Sequence, residues 1–172
     1  KIHIVKLFEY QDDKCLIAAL KYVKDNIKCK IVNVSLGVKT SDNLDELYNI
    51  CAEITKMGIV IVSAFDNEGC HSYPAAFDCV IGVDNKNDLR HISEFDFVEN
   101  SPINIFAKGN VQRISIQGEK NLLIGGSSIS CAHITAILSN EMENEINLRS
   151  ALSYLKSKSR YIYSTKNPEH ND

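Results

Sequence analysis

One stretch of the chain has the residue types and spacing to hold a nucleophile. It is Gly125-Gly126-Ser127-Ser128-Ile129-Ser130-Cys131-Ala132-His133. The apolar run Leu122-Leu123-Ile124 enters it, and an apolar helical pattern through Ile129, Ala132, Ala136 and Ile137 leaves it. That pattern predicts an extended segment, a tight small-residue turn and a helix over residues 128–138. Glycines allow the turn and the close approach of another backbone. A serine hydroxyl then stands at a helix N-terminus, where free N–H groups and the helix dipole favour developing negative charge. The chemistry this suits is acyl transfer. The plainer reading of Gly-Gly-Ser-Ser is a capped helix. Acyl transfer also needs a base, a group that orients the base, and donors for the oxyanion.

The elements that must position such a site follow from periodicity. Apolar runs at residues 2–8, 31–36, 59–64 and 79–83 read as buried strands. Residues 15–27 and Leu44–Lys56 carry one apolar stripe each and read as helices. Strand–helix–strand–helix–strand over the first third of the chain means βαβ units, hence an α/β fold with a mainly parallel sheet flanked by helices. In such sheets ligands sit beyond the strand C-termini. That places residues 35–37 and 65–67 at the ligand-binding end. Shorter strands are predicted at 92–97 and 103–106, and a hairpin pairs 111–116 with 121–124. A last helix is predicted at 148–156. Residues 1–157 read as one domain and 158–172 as a polar tail.

Composition narrows the partners. The 172 residues carry a net charge of −3, which argues against nucleic acid and anionic membrane surfaces. No apolar run approaches the roughly 20 residues of a membrane span. Cys15, Cys29, Cys51, Cys70, Cys79 and Cys131 form no C-x-x-C pair, so no metal site is expected. Their placement in helix and strand patterns suits free thiols in a reducing, cytoplasmic compartment. The first residue is Lys1 rather than Met, and the chain enters directly on a strand pattern. The expectation is a piece of a longer polypeptide.

Three further stretches precede the serine segment: Ile31-Val32-Asn33-Val34-Ser35-Leu36-Gly37, then Gly58-Ile59-Val60-Ile61-Val62-Ser63-Ala64-Phe65-Asp66-Asn67-Glu68-Gly69, then Ser72-Tyr73-Pro74-Ala75-Ala76-Phe77. In this order, ending in Gly-Ser-Ser-x-x-x-x-His, the chain resembles the subtilisin-like serine proteases over residues 1–140. The resemblance implies a subtilisin-like fold lacking its N-terminal portion, and endopeptidase activity through a serine acyl-enzyme. It makes Ser128 the nucleophile and Asn67 the oxyanion donor. It lines the substrate pocket with Ser35, Leu36 and Gly37 on one wall and Ala64, Phe65 and Asp66 on the other. The peptide would lie as an added strand beside residues 34–37. The partner is then a peptide or protein substrate, with no cofactor, and with the missing N-terminal segment of the same domain as a second partner. Many members are secreted, which opposes the compartment suggested by the cysteines.

The family's order of catalytic residues is Asp, His, Ser. The segments that carry its Asp and its His-Gly-Thr precede the strand resembling residues 2–8 and are not in this chain. Of the five histidines, His133 matches a structural family histidine, and His71 is the one near Asn67. The alternative to an enzyme is therefore an inactive, peptide-binding relative. A nucleotide-binding protein fits worse, because the glycines come late and no G-x-G-x-x-G or P-loop is present. Departures from the family pattern are Ser127 for threonine, Ala132 for proline, Lys108 for proline, Gly125 for asparagine and Asp66 for glycine. A carboxylate at position 66 would either favour Lys or Arg before the scissile bond or hydrogen-bond its own turn.

Overall fold

The computed structural model describes residues 1–7, 12–66, 72–114, 121–141 and 146–164. Helix α1, Asp13–Asn26, starts where the Asp12 side chain accepts the Cys15 N–H at 2.8 Å. An oxygen there satisfies one of the helix's unpaired first-turn donors. Strand β1, Ile31–Val34, follows. Helix α2, Leu44–Lys56, turns Leu47, Ile50, Cys51 and Ile54 inward at positions three and four apart, and Gly58 leaves it at a positive φ of 83°. Strand β2, Val60–Ala64, is buried on both faces, as a central parallel strand must be.

The remaining described elements are β3 (Ile81–Asn85), β4 (Phe95–Glu99), β5 (Ile105–Ala107), β6 (Gln112–Ile114), β7 (Leu122–Ile124), α3 (Ser127–Glu141), α4 (Leu148–Lys158) and β8 (Ile162–Ser164). Six strands form one sheet in the order β1-β2-β3-β5-β4-β8. Neighbours are parallel except β4 and β5, which pair antiparallel. The hairpin β6-β7 stands apart, antiparallel, as its alternation predicts.

Helices cover both faces. On one, Leu16 and Leu20 of α1 and Leu47, Cys51 and Ile54 of α2 pack on Val34, Ile61 and Val80. On the other, Cys131, Ile134 and Leu138 of α3 and Ala151 and Leu155 of α4 pack on Val60, Val62, Ile81, Val83 and Ile105. The strict alternation along β2, with Val60 and Val62 to α3 and Ile61 to α2, ties the two cores together. Truncating any of the fully buried side chains Leu47, Ile54 or Ile61 costs roughly 2–5 kcal/mol.

Two expectations differ from the structure. Residues 1–7 form no strand, and Ile2 and Ile4 are 89% and 87% exposed. An apolar run becomes a strand only against a neighbouring backbone, and no described strand pairs with it. The stretch read as a tail contains β8, which pairs in parallel with β4 through Phe97–Ile162 and Val98–Tyr163. Its side chains are exposed, so polarity hid a strand held by its backbone and by Arg160.

Candidate active site

Glycines set the start of α3 against the ends of two strands. Gly126 has φ 102°, a conformation other L-residues avoid, and its N–H donates to the Gly109 carbonyl at 2.6 Å. A Cβ on Gly109 would lie 2.7 Å from the Ser130 hydroxyl and 2.8 Å from the Gly126 carbonyl, so this approach needs glycine. Two of the helix's serines serve as tethers. Ser127, 1% exposed, donates its hydroxyl to the Phe65 carbonyl just beyond β2. Ser130, fully buried, donates to the Ala107 carbonyl at the end of β5 at 3.0 Å.

Ser128 lies between the two tethers and lines a cleft of about 200 Å³ at the C-terminal end of β1 and β2. Ser35, Leu36, Gly37 and Lys39 make one wall. Ala64, Phe65 and Asp66 make the other, with Ser72 and Ser127 between. The structure thus brings together Ser128 and all six residues expected to line a substrate pocket. Asn67 and His71 lie outside the described residues.

The wall of β1 is fixed by a polar chain. Asn33 donates to the Ser35 hydroxyl at 3.0 Å and accepts from Thr135 of α3 at 2.9 Å and from the Cys131 thiol at 3.1 Å. Burial pushes that thiol up to about 12, so it stays a neutral donor. The Ser35 hydroxyl in turn reaches the Ser128 carbonyl at 3.5 Å. Further along this wall, Val38 and Tyr73 exchange two backbone hydrogen bonds of 2.9 Å.

Charge enters from two side chains that sequence reasoning did not include. Lys39 Nζ lies 2.7 Å from Asp66 Oδ2 across the cleft. At the end of β3, burial raises the Asp84 carboxyl above the usual carboxylate range, and the nearby negative charge of Asp66 adds to it. Nothing in local sequence marks Lys39 as a partner of Asp66, since the pairing is made by the fold. Ser72, part of the Ser-Tyr-Pro-Ala turn in sequence, likewise lines the cleft.

The histidines divide clearly. His133 Nδ1 sits 3.0 Å from the Lys108 carbonyl, and its Nε2 is 3.4 Å from the Gln112 amide nitrogen. The carbonyl can only accept, so Nδ1 carries the proton and both ring nitrogens are engaged in structure. His3 and His91 are exposed, and among the described residues no histidine lines the cleft. A larger hollow of about 530 Å³ between α3, α4 and the segment before β4 holds His133, Ile92, Phe95 and Tyr154 but no serine at a helix start. Among the described residues no group of three or more His, Cys, Asp or Glu could hold a metal ion.

A mainly parallel sheet between two helical layers, with a serine at a helix N-terminus over the strand ends, is the architecture of the subtilisin-like proteins. The chain resembles the subtilisin-like serine proteases in sequence and has their fold. In sequence it is 28% identical over 130 residues to the major intracellular serine protease of Bacillus subtilis (strain 168). The match takes in 72% of this chain and 40% of that protein, so the chain spans less than half of the relative's length. Among solved structures, the prenylagaramide maturation protease PagA superposes with a TM-score of 0.68 at 18% identity, over 98% of this chain and 64% of its own. A cold-adapted subtilisin-like serine proteinase gives 0.64 at 19%, over 90% and 62%. Sphericase gives 0.64 at 16%, over 86% and 55%. No protein-family profile matches the chain.

Proposed function

We propose that this chain forms the nucleophile and substrate-binding part of a subtilisin-type serine endopeptidase. The observation that carries the reading is the position of Ser128. It stands in the first turn of α3, on a cleft whose two walls are the ends of β1 and β2. A peptide laid along residues 34–37 would present a carbonyl carbon to the Ser128 hydroxyl. As that oxygen attacks, the carbonyl oxygen gains negative charge. The first-turn N–H groups of α3 and the side-chain amide of Asn67, which follows Asp66 in the chain, would stabilise it. Loss of one such donor costs about 3 kcal/mol of transition-state stabilisation.

The proton on Ser128 needs a base. In the family order of Asp, His, Ser, that base and its orienting carboxylate would lie N-terminal to the segments matched here. Residues 1–172 alone should then hydrolyse peptides poorly. The five described cysteines are free thiols, which suits a reducing compartment, and the Bacillus relative is an intracellular protease. A serine-directed fluorophosphonate tests the reading on the longer polypeptide. Labelling should map to Ser128 and vanish in Ser128→Ala. Labelling at another serine, or none, would leave a peptide-binding protein without catalysis.

A further inference from the structure

We infer that the ion pair between Lys39 and Asp66, the two charged side chains among the described residues lining the cleft beside Ser128, offsets charge there, so that the cleft selects an uncharged, hydrogen-bonding side chain of the bound peptide. This rests on the reading that the cleft holds a peptide. Both partners line the cleft, and their charged atoms are 2.7 Å apart across it. Lys39 is half exposed and Asp66 about a quarter exposed. A pair this open to water adds little to stability. Its consequence is for complementarity, because each charge cancels the other where a ligand would meet them.

The backbones under the pair are held. Lys39 follows Val38, which is locked to Tyr73 by two backbone hydrogen bonds. Asp66 follows Phe65, whose N–H donates to the Val83 carbonyl at 2.8 Å and whose carbonyl receives the Ser127 hydroxyl. The pair therefore spans two fixed walls. A cationic ligand side chain gains Asp66 only by displacing Lys39, and an anionic one gains Lys39 only by displacing Asp66. The other polar side chains on the cleft are serines: Ser35 is open to solvent and Ser128 partly so, while Ser72 and Ser127 are buried beneath with their hydroxyls given to the Ala64 and Phe65 carbonyls. Serine, threonine or asparagine side chains match that surface. This differs from both sequence-based alternatives for Asp66, a preference for Lys or Arg and a hydrogen bond to its own turn.

The test is titration of the longer polypeptide, carrying Ser128→Ala to prevent cleavage, with acetylated alanine hexapeptides that differ only in carrying Ser, Asn, Lys or Glu at one position. Amide resonances of Gly37 and Ala64 report occupancy of the cleft by NMR. With Lys39 and Asp66 unaltered, Ser and Asn peptides should bind best. In Lys39→Gln the Lys peptide should gain at least tenfold, and in Asp66→Asn the Glu peptide should gain at least tenfold. The double variant should return to the neutral ranking. Binding at the cleft with one ranking in all four proteins would overturn the inference and leave the peptide-cleft reading intact. Failure of every peptide to move Gly37 or Ala64 in any of the four would overturn both.

Discussion

Asp96 is the residue on which most charge converges. It is fully buried on β4 and accepts both Nε and Nη2 of Arg160 at 3.0 Å and Lys86 Nζ at 2.8 Å. Burial by itself would raise its carboxyl, but the hydrogen bonds of Arg160 and Lys86 outweigh that and hold it below the usual carboxylate range. The same contacts raise Lys86 and Arg160, with the bond to Asp96 the largest cause for each. Asp96→Ala removes the acceptor shared by two cations. The expected cost is roughly 3 kcal/mol, at the low end for a broken buried pair because the Lys86 and Arg160 side chains are 27% and 30% exposed. Urea denaturation measures it. A depressed carboxyl also fixes a sign. Its stabilisation is present above the ordinary carboxylate range and is lost as pH falls through the lowered value. Asp96→Asn should flatten that part of the acid limb of stability against pH.

At the scale of elements, the start of α3 depends on room that only glycine leaves. A Cβ at Gly109 would fall 2.5 Å from the Asn85 Cβ as well as on Ser130 and Gly126. Two of the three atoms belong to backbone or to a Cβ, which cannot swing aside. Gly109→Ala should therefore cost about 2 kcal/mol by overpacking and push α3 away from β5. Because Ser128 rides on that turn, fluorophosphonate labelling of the longer polypeptide should fall with it. Ser130→Ala makes a useful comparison. It loses one hydroxyl to a carbonyl and should cost only about 1 kcal/mol, with the turn in place. Equal effects of the two on labelling would mean that the glycine contact does not position Ser128.

Among the described residues, the sheet has two well-covered faces and an open edge at β1. The six-stranded sheet ends on β1, and among the described residues β2 is its one strand partner. Ile2 and Ile4 are almost fully exposed, and Val5 is 39% exposed. An open strand edge together with exposed apolar side chains favours association or dye binding. Residues 1–172 should bind a hydrophobic dye and elute above monomer size. Ile2→Lys with Ile4→Lys should reduce both without lowering the thermal midpoint, since neither side chain is packed. A monomeric chain with no dye binding would show that this end is satisfied as it stands.

Local pattern carried the elements a long way. The helix predicted at Leu44–Lys56 has those bounds, and the hairpin and the α3 and α4 patterns stand where alternation and helical spacing put them. The reason is that burying one face imposes a period, and a period is readable from neighbouring residues. Motif order also pointed to the residues that gather at the cleft. Pairing between distant segments was not readable. Which strands neighbour one another, with β5 between β3 and β4 and β8 at the far edge, depends on backbone hydrogen bonds that leave no mark on residue type. Residues 2–8 have a strand's composition without a described partner. Arg160 and Lys86 converge on Asp96, and Lys39 meets Asp66, because the fold carries charges from separate elements within a few ångströms. Ser127 and Ser128 are alike in sequence. Only the carbonyl of Phe65, brought beneath the helix by the sheet, makes one a tether and leaves the other on the cleft.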